Sequence, residues 1–260
     1  MLKFFHNVKK YFKYAIRSAK AELKSEVADS YLNWLWWVIE PFCFMLIYSF
    51  VFGTVFGIGA DYFASFIFIG LTVWEFFNRM VSGSVTLILQ NRDLVTKVYL
   101  PKYILLVSKS FTYLFKTGIS LVISFGLMIF QQVKFSWHII FIFPILAVLY
   151  ILCFGIGTIL MNFGVTINDL SNLTRIVLRM IFYLSGVFYN INERLDGQLS
   201  FALLRFNPAA FIMNEMREVM LYNRLPNFTE LAIWLGIGLL LCFLGIHMIH
   251  KNENSYAKVI

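Results

Sequence analysis

The sequence lacks the motifs of nucleotide-binding proteins and of the common hydrolases. No G-x-x-x-x-G-K-[ST] loop occurs among its 260 residues, so the usual cradle for nucleotide phosphates is missing. H-E-x-x-H and G-x-S-x-G are absent too, and the four histidines are scattered along the chain. If this protein performs work, we expect the energy to come from another subunit.

Cysteine and charge are also scarce. Cys43, Cys153 and Cys242 all fall within apolar stretches, which favours small core residues over disulfides or metal ligands. Charged residues make up 14% of the chain and hydrophobic residues 60%, and the mean hydropathy is +0.74. This composition excludes a soluble domain of this size.

The chain is dominated instead by six apolar stretches, at roughly 34–56, 62–82, 104–130, 137–163, 176–191 and 229–250. A helix needs about 20 apolar residues to cross about 30 Å of hydrocarbon. The fifth stretch is short and can be extended only by including Arg175. The sequence therefore predicts an all-α integral membrane protein with six transmembrane helices.

Basic residues between these stretches fall almost entirely on one side. With six spans both termini share a side, and that side carries Lys3, Lys9, Lys10, Lys13, Arg17, Lys20, Lys24, Arg92, Lys97, Lys102, Arg175, Lys251 and Lys258. The short opposite loops offer only Lys134. Because basic residues stay cytoplasmic, both termini are predicted to face the cytoplasm. The net charge of +8 then suits anionic lipid rather than nucleic acid, and no cleavable signal peptide is expected.

Residues 1–30 form a separate element ahead of the first stretch. Apolar residues recur there at steps of three and four, and lysines occupy the other face. This pattern is typical of a helix lying in the cytoplasmic membrane interface. Such a helix serves either as a lipid anchor alone or also as a docking element for a soluble partner.

The last outer loop, 191–228, is long and not simply polar. Residues 201–206 and 209–221 have the pattern of two amphipathic pieces separated by Asn207-Pro208. Proline ends the first piece and fits the first turn of the second. The pattern favours a re-entrant helical pair in the outer leaflet over a loop on the membrane surface.

Several short motifs follow a recognisable order along the chain. YLNWLWWVIEP at 31–41 is followed by GLTVWEFF at 70–77 and NRDLVTKVYLPK at 91–102. NDL at 168–170, SGVFY at 185–189, NP at 207–208 and EMR at 215–217 complete the series. In this order the whole chain resembles the permease subunit of type-2 ABC exporters that move lipid-linked polysaccharides such as O-antigen, capsule, rhamnan and teichoic acid. Glu40 departs from the neutral residue expected in many relatives.

The resemblance implies a homodimer that works with two copies of a separate cytoplasmic ABC ATPase. That partner would bind ATP and Mg, and no cofactor is expected in this chain. The segment around 91–102 would be a coupling helix in a groove of the ATPase, which its mixed charge and apolar side chains suit better than a plain charged loop would. The residues expected to take part are Asn91, Arg92, Asp93, Leu94, Lys97, Val98, Tyr99, Pro101 and Lys102.

Aromatic residues make up 18% of the chain, and several form a stripe. The aromatic residues of the first span, Trp37, Phe44, Tyr48 and Phe52, recur at steps of seven, four and four. Aromatic rings stack on the C–H faces of sugars with little directionality, so the stripe suits a conduit for a glycan. Packing against lipid or other helices is the alternative. The predicted translocation path is Trp37, Phe44, Tyr48, Phe52, Phe182, Tyr183 and Tyr189.

Charges inside the apolar stretches are costly and are usually paired or functional. Arg79 is expected to pair with Glu75, four residues earlier on the same helix, or with Glu40 across helices. Arg175 and Arg179 share a face and suit the phosphate of a carrier lipid. Pairing of Arg175 with Asp169, or interfacial anchoring, is the alternative.

We therefore expect one transmembrane domain over 1–260, with the interface helix at 1–30, the bundle at 34–250 and the outer segment at 191–228. Its expected role is that of a non-enzymatic permease subunit in a bacterial inner membrane, exporting a lipid-linked glycan. The alternatives are an ABC-2 permease for drugs or lipids, an integral-membrane glycosyl or acyl transferase, and a structural scaffold. A transferase would need acidic residues converging near one membrane face, and a scaffold would not explain intramembrane Arg and Glu.

Overall fold

The structure, a computed structural model, describes residues 2–28, 31–57, 61–194 and 196–259. These ranges contain helices and turns but no strand, which confirms the all-α prediction. The helices are α1 (Leu2–Val27), α2 (Trp36–Tyr48, continued by a π-helix at Ser49–Val55), α3 (Phe63–Val85), α4 (Leu87–Gln90), α5 (Arg92–Lys97), α6 (Tyr103–Phe130), α7 (Ile142–Phe163), α8 (Leu170–Leu184), α9 (Ile191–Arg194), α10 (Gly197–Phe206), α11 (Pro208–Met220) and α12 (Phe228–Val259). Short 3₁₀ helices at Asn33–Leu35 and Trp137–Phe141 precede α2 and α7.

Five helices in the described ranges are long and apolar enough to cross a membrane: Trp36–Val55, Phe63–Val85, Tyr103–Phe130, Trp137–Phe163 and Phe228–Asn252. The fifth predicted stretch, 176–191, differs, because α8 ends at Leu184 and Gly186 turns the chain with a φ of 64°. The 15 residues of α8 extend for roughly 22 Å, less than the hydrocarbon core. The six-span count therefore stays a prediction.

The centre of the bundle is α3, which packs against α2, α6, α7, α8 and α11. In its most apolar stretch 78% of the residues are buried. Four consecutive side chains, from Phe66 to Ile69, are each at most 1% exposed. A helix that is apolar and buried all round must have neighbours on every side, so α3 positions the helices around it.

The helices α7 and α12 pack closely along their length. A Cβ added to Gly155 would lie 2.9 Å from the backbone nitrogen of Cys242, and one added to Gly238 would lie 3.2 Å from that of Leu152. Small residues at such contacts let helix backbones approach, which is how helices associate where lipid removes the hydrophobic driving force.

The N-terminal helix α1 packs along α6. Ala15 and Ala19 are buried against the bundle, and Ser108 Oγ donates to the carbonyl oxygen of Ala15 at 3.1 Å. Phe5 and Phe12, on the predicted apolar face, are 66% and 46% exposed. The predicted basic face is exposed at Lys9, Lys13, Lys20 and Lys24. The amphipathic helix is present, but its buried residues are the small Ala15 and Ala19 rather than the rings of Phe5 and Phe12.

Two ion pairs tie the C-terminal half of α1 to α6. Lys109 pairs with Glu22, and Lys116 Nζ lies 2.5 Å from Glu26 Oε2. Thr112 Oγ1 donates to the second carboxylate oxygen of Glu22 at 3.3 Å. Both lysines lie within a membrane-spanning helix, so α1 supplies the counter-charges that such positions require.

The outer helices α10 and α11 match the two amphipathic pieces predicted on either side of Asn207-Pro208. Pro208 begins α11, and Asn207 Oδ1 accepts from the backbone nitrogens of Ala209 and Ala210 at 3.0 and 3.2 Å. Although α11 packs firmly on α3 and α7, the re-entrant position of the pair in a membrane stays a prediction.

Candidate functional site

A cavity of about 560 Å³ opens between the end of α1 and helices α2, α3, α6 and α8. Its wall combines aromatic rings with five charged side chains, Glu26, Glu40, Glu75, Arg79 and Lys116. A concave site of this size, mostly apolar and with a few charged groups, has the features of a small-ligand site.

Two ion pairs lie in the cavity wall. Arg79 Nε donates to Glu75 Oε2 at 2.8 Å, four residues apart on α3. Of the two partners considered from the sequence, Arg79 therefore binds Glu75. The second pair joins Lys116 to Glu26 of α1, and Lys116 Nζ also lies 5.8 Å from the ring centroid of Trp37. Both cations of the wall are thus neutralised by carboxylates.

Glu40 is the remaining charge, exposed on α2 and facing the cavity. Among the described residues its carboxylate makes no direct hydrogen bond or ion pair, and it interacts electrostatically at longer range with Arg79, which Glu75 already binds. A lone carboxylate in the centre of a membrane costs about 2.5–3.5 kcal/mol, so it is expected to face water or a polar ligand. With three carboxylates against two cations, the wall has one negative charge in excess.

Four residues of the predicted path line this cavity: Trp37, Phe44, Tyr48 and Phe182. The rings of Phe44 and Tyr48 stack with centroids 6.1 Å apart and planes 20° apart, and Phe44 is 47% exposed. Trp37 contacts Phe115 of α6 edge to face at 5.8 Å. The wall on the α2 side is therefore largely aromatic, with Glu40 between its rings.

The other three path residues lie outside the cavity. Phe52 stacks on Phe188, with centroids 4.4 Å apart and planes 5° apart, and Tyr48 contacts the same ring at 4.6 Å. Tyr183 is 63% exposed on α8, and Tyr189 is half-buried in the turn after it. Phe188 was not selected from the sequence, yet it is buried and joins α2 to that turn.

Arg175 and Arg179 lie on an exposed face of α8 and do not line the cavity. Arg175 Nη2 donates to Asn172 Oδ1, three residues earlier, rather than pairing with Asp169 as considered from the sequence. The cations at the cavity are Arg79 and Lys116. Neither Arg175 nor Arg179 contributes to its wall.

The predicted coupling segment forms the short helix α5 and the turn that follows it. Arg92 and Asp93 are exposed, Asp93 pairs with Lys97 at 3.7 Å, and Asn91 Nδ2 donates to the carbonyl oxygen of Leu87 at 2.8 Å. Val98 and Tyr99 are 49% and 78% exposed, whereas Leu94 is half-buried. Pro101 and Lys102 are buried within the chain, so the surface available for docking is formed by the residues before them.

Arg217 of α11 is a buried cation, only 4% exposed, and its hydrogen bonds to the described residues go to backbone carbonyls rather than to a carboxylate. Its guanidinium donates to three carbonyl oxygens, those of Phe66 at 3.1 Å, Gly186 at 2.8 Å and Val187 at 2.9 Å. It also lies 3.5 Å from the ring centroid of Phe66. A Cβ on Gly70 would come within 2.3 Å of its Nη2 atom.

These contacts bring three of the sequence motifs together. Gly70, in GLTVWEFF, leaves room for Arg217, in EMR. Arg217 in turn donates hydrogen bonds to the backbone of Gly186 and Val187, in SGVFY. Asn207 Nδ2 donates to Ser185 Oγ at 2.9 Å, which adds a contact between the start of α11 and the segment that follows α8. Burial lowers the pKa of Arg217 to about 9, so the guanidinium remains charged at neutral pH.

Glu215 connects α11 to the start of α12. Its Oε2 accepts from the backbone nitrogen of Asn227 at 2.7 Å, and Asn227 Oδ1 in turn accepts from the nitrogen of Glu230 at 3.2 Å. Burial raises the pKa of Glu215, and the bonds that its carboxylate accepts from the Asn227 nitrogen and from Asn214 Nδ2 oppose part of that rise. Burial likewise raises the pKa of Glu218, which pairs with Arg224 at 3.4 Å.

Sequence reasoning missed the α1–α6 half of the site. Glu26 and Lys116 line the cavity, and Trp36, Trp74 and Tyr113 add rings to it. One signal was present, because Lys109 and Lys116 are seven residues apart in an otherwise apolar stretch while Glu22 and Glu26 are four apart on α1. Two cations on one face of a span require two anions on a neighbouring helix.

Comparisons with known proteins agree on one family. The family described as ABC-2 type transporter matches residues 17–221, which include the whole cavity wall, α5 and α11. An O-antigen export system permease protein RfbA of Myxococcus xanthus is 26% identical over 248 residues, 94% of this chain and 94% of that protein. A protein of the same name from Klebsiella pneumoniae is 22% identical over 262 residues, covering 100% of this chain and 99% of its own length.

Proposed function

Because the chain belongs to the ABC-2 type transporter family, we propose that it is the permease subunit of an ATP-driven exporter of a lipid-linked cell-surface polysaccharide. The observation that carries this proposal is the family match over 17–221, joined by relatives that are O-antigen export permeases and align over at least 92% of this chain. O-antigen, capsule, rhamnan and teichoic acid form the substrate class. The chain is a multi-pass membrane protein, and the bacterial inner membrane with both termini in the cytoplasm is its proposed setting.

The proposed complex contains two copies of this chain and two copies of a separate ATPase that binds ATP and Mg. The missing phosphate-binding loop supports a separate energy source. The exposed apolar side chains of Val98 and Tyr99, beside the charged helix α5, support docking of that ATPase at 91–99. Asp93 and Lys97 flank the same surface and would give the contact polar edges.

The proposed route for the glycan follows the aromatic surface of α2. Only 6% of the most apolar stretch of this helix is buried within one subunit, so most of its surface is free to face a second copy, lipid or substrate. Rings of Phe44 and Tyr48 offer stacking surface without a fixed hydrogen-bond pattern. Such contacts hold a polymer weakly enough for it to advance.

The proposal is tested by assembly and export. The purified chain alone should hydrolyse no ATP, and coexpression with its cognate ATPase should yield a two-plus-two complex by mass measurement. In a host that lacks its own permease, the pair should restore polymer at the cell surface. ATP hydrolysis by the isolated chain, or normal assembly without any effect on surface polymer, would contradict the proposal.

A variant of the coupling segment makes the test specific. Replacing Val98 and Tyr99 with Glu should abolish co-purification of the ATPase while leaving membrane insertion intact, because both side chains are exposed and contribute little to the fold. The matched control replaces Ile129 and Phe130, which are 66% and 85% exposed at the far end of α6, with Glu. Loss of the ATPase in the control alone would place the docking surface elsewhere.

A further inference from the structure

One face of α2 alternates aromatic rings with a carboxylate. Trp36, Glu40, Phe44 and Tyr48 follow at steps of four, and all four line the cavity. Four residues of an α-helix advance by roughly 6 Å, a distance comparable with the width of one sugar ring. Trp36 and Phe44, on either side of Glu40, are each 47% exposed. Glu40 therefore lies between two accessible rings.

The charges around Glu40 distinguish between ligands. Arg79 is paired with Glu75 and Lys116 with Glu26, so an anionic ligand would have to displace a carboxylate to reach either cation. The unpaired Glu40 would repel it as well. A neutral ligand that donates hydrogen bonds meets neither obstacle, because a carboxylate accepts two such bonds at once.

Building on the proposed function, we infer that this cavity binds the neutral sugar units of the exported glycan and disfavours the phosphate of its carrier lipid. Two neighbouring sugar hydroxyls donate to the Glu40 carboxylate, and the C–H faces of the ring stack on Trp36 and Phe44. The carrier phosphate is left to a cationic surface outside the cavity. A carboxylate flanked by aromatic rings thus selects the sugar from the rest of the lipid-linked substrate.

The test uses the complete complex of this chain with its ATPase in lipid nanodiscs. Two diazirine-bearing probes of equal alkyl length are compared, a hexyl glucoside and a hexyl phosphate, and the labelled peptides are identified by mass spectrometry. The glucoside should label peptides that contain residues 36–48 or 71–79, and an excess of unlabelled methyl glucoside should suppress that labelling. The phosphate probe should label these peptides weakly.

Three variants identify the groups responsible. Glu40→Gln should reduce glucoside labelling by about fivefold, because hydrogen bonds to a charged acceptor are stronger than those to a neutral one. The same variant should increase labelling by the phosphate probe, since the excess negative charge is gone. Trp36→Ala should also weaken glucoside labelling, whereas Trp36→Phe retains a ring and should restore most of it. Phe50→Ala is the matched control, because Phe50 is 62% exposed on α2 but does not line the cavity.

Stronger labelling of the wild-type cavity by the phosphate probe than by the glucoside would overturn the inference. So would unchanged glucoside labelling in both Glu40→Gln and Trp36→Ala, provided that the ATPase still co-purifies. These outcomes are separate from failure of the proposed function. A complex that restores surface polymer but shows no glucoside labelling contradicts only the sugar site, whereas a complex that restores no polymer contradicts the export role.

Discussion

Helices α2 and α3 follow each other along the chain, and both are apolar enough to cross a membrane. Their burial is nevertheless opposite, since 78% of the most apolar stretch of α3 is buried within the subunit and only 6% of that of α2. In α3, Gly70 lies directly against the guanidinium of the buried Arg217. The exposed residues Trp36, Glu40 and Phe44 of α2 instead line the cavity.

The difference shows that apolarity alone does not bury a helix in a membrane protein. Lipid is as apolar as a side chain, so an exposed Phe on α2 costs little, and packing inside the subunit depends on shape and on satisfied polar groups. Side chains on α3 are therefore expected to determine stability. Side chains on α2 are expected to determine what the subunit binds.

The sharpest test of this contrast replaces one phenylalanine on each helix. Phe66→Ala on α3 should lower the free energy of unfolding by about 3–5 kcal/mol, because Phe66 is 1% exposed and its ring lies under Arg217. Phe44→Ala on α2 should lower it by less than about 1 kcal/mol, because the ring is largely outside the packed core. Unfolding of both variants in matched detergent gives the comparison. Equal losses would remove the distinction between the two helices.

A smaller loss of stability is expected from a substitution at Gly70. Gly70→Ala places a Cβ against the guanidinium of Arg217, which three hydrogen bonds hold in place. Moving the guanidinium breaks at least one of these bonds, so a loss of about 2–3 kcal/mol is expected. Gly118→Ala on α6 is the control, because nothing lies within 4 Å of its added Cβ. Thermal unfolding followed by size-exclusion chromatography should separate the two, and equal stability would show that Arg217 has room to move.

Asn207→Ala should cost about 1–2 kcal/mol, the usual loss for an N-terminal cap. The variant removes the acceptor for two backbone nitrogens at the start of α11 and the donor to Ser185. Asn207→Asp retains the cap acceptor but removes the donated bond, so it should lie between wild type and Asn207→Ala. If the Asp variant is as unstable as the Ala variant, the bond to Ser185 is the important one.

The largest effect on export is expected on α2. Replacing Trp37, Phe44 and Tyr48 with Ala should leave ATPase assembly intact but reduce surface polymer by at least about tenfold, since each stacked ring contributes about 0.5–1.5 kcal/mol. Lipid-linked polymer should then accumulate inside the cell. The control replaces Val122, Ile129 and Phe130, which are exposed on α6, with Ala. Normal export by the α2 variant would show that its rings face lipid.

Much of the fold was predictable because hydrophobic length and periodicity are local properties. The helix limits around Asn207-Pro208 were predicted to within a few residues, since both proline and the asparagine cap act on their own turn. The largest difference from the predicted stretches is at the fifth, where apolar residues continue to 191 but α8 ends at Leu184 and the chain turns at Gly186. A hydropathy profile depends only on neighbouring residues. It therefore cannot predict the turn at Gly186, whose carbonyl oxygen accepts a hydrogen bond from Arg217, about thirty residues later.

The site was only partly predictable for the same reason. A stripe on one helix can be found by spacing, and Trp37, Phe44 and Tyr48 do line the cavity. Phe52 satisfies the same spacing but packs on Phe188, more than a hundred residues later in the chain. No periodicity in α2 distinguishes a ring that faces open space from a ring that another helix covers.

The sequence by itself determined that this chain is an all-helical membrane protein without a phosphate-binding loop, because composition, span length and motif are properties of contiguous residues. Only the tertiary structure decided which charges pair and which remain unpaired. Lys116 pairs with Glu26, which lies about ninety residues earlier in the chain, and Arg217 donates to three backbone carbonyls in two other segments. Glu40 makes no direct ion pair among the described residues and interacts with Arg79 only at longer range. Electrostatic partners in a membrane are chosen by proximity in space, which the packing of α1, α3, α6 and α11 sets.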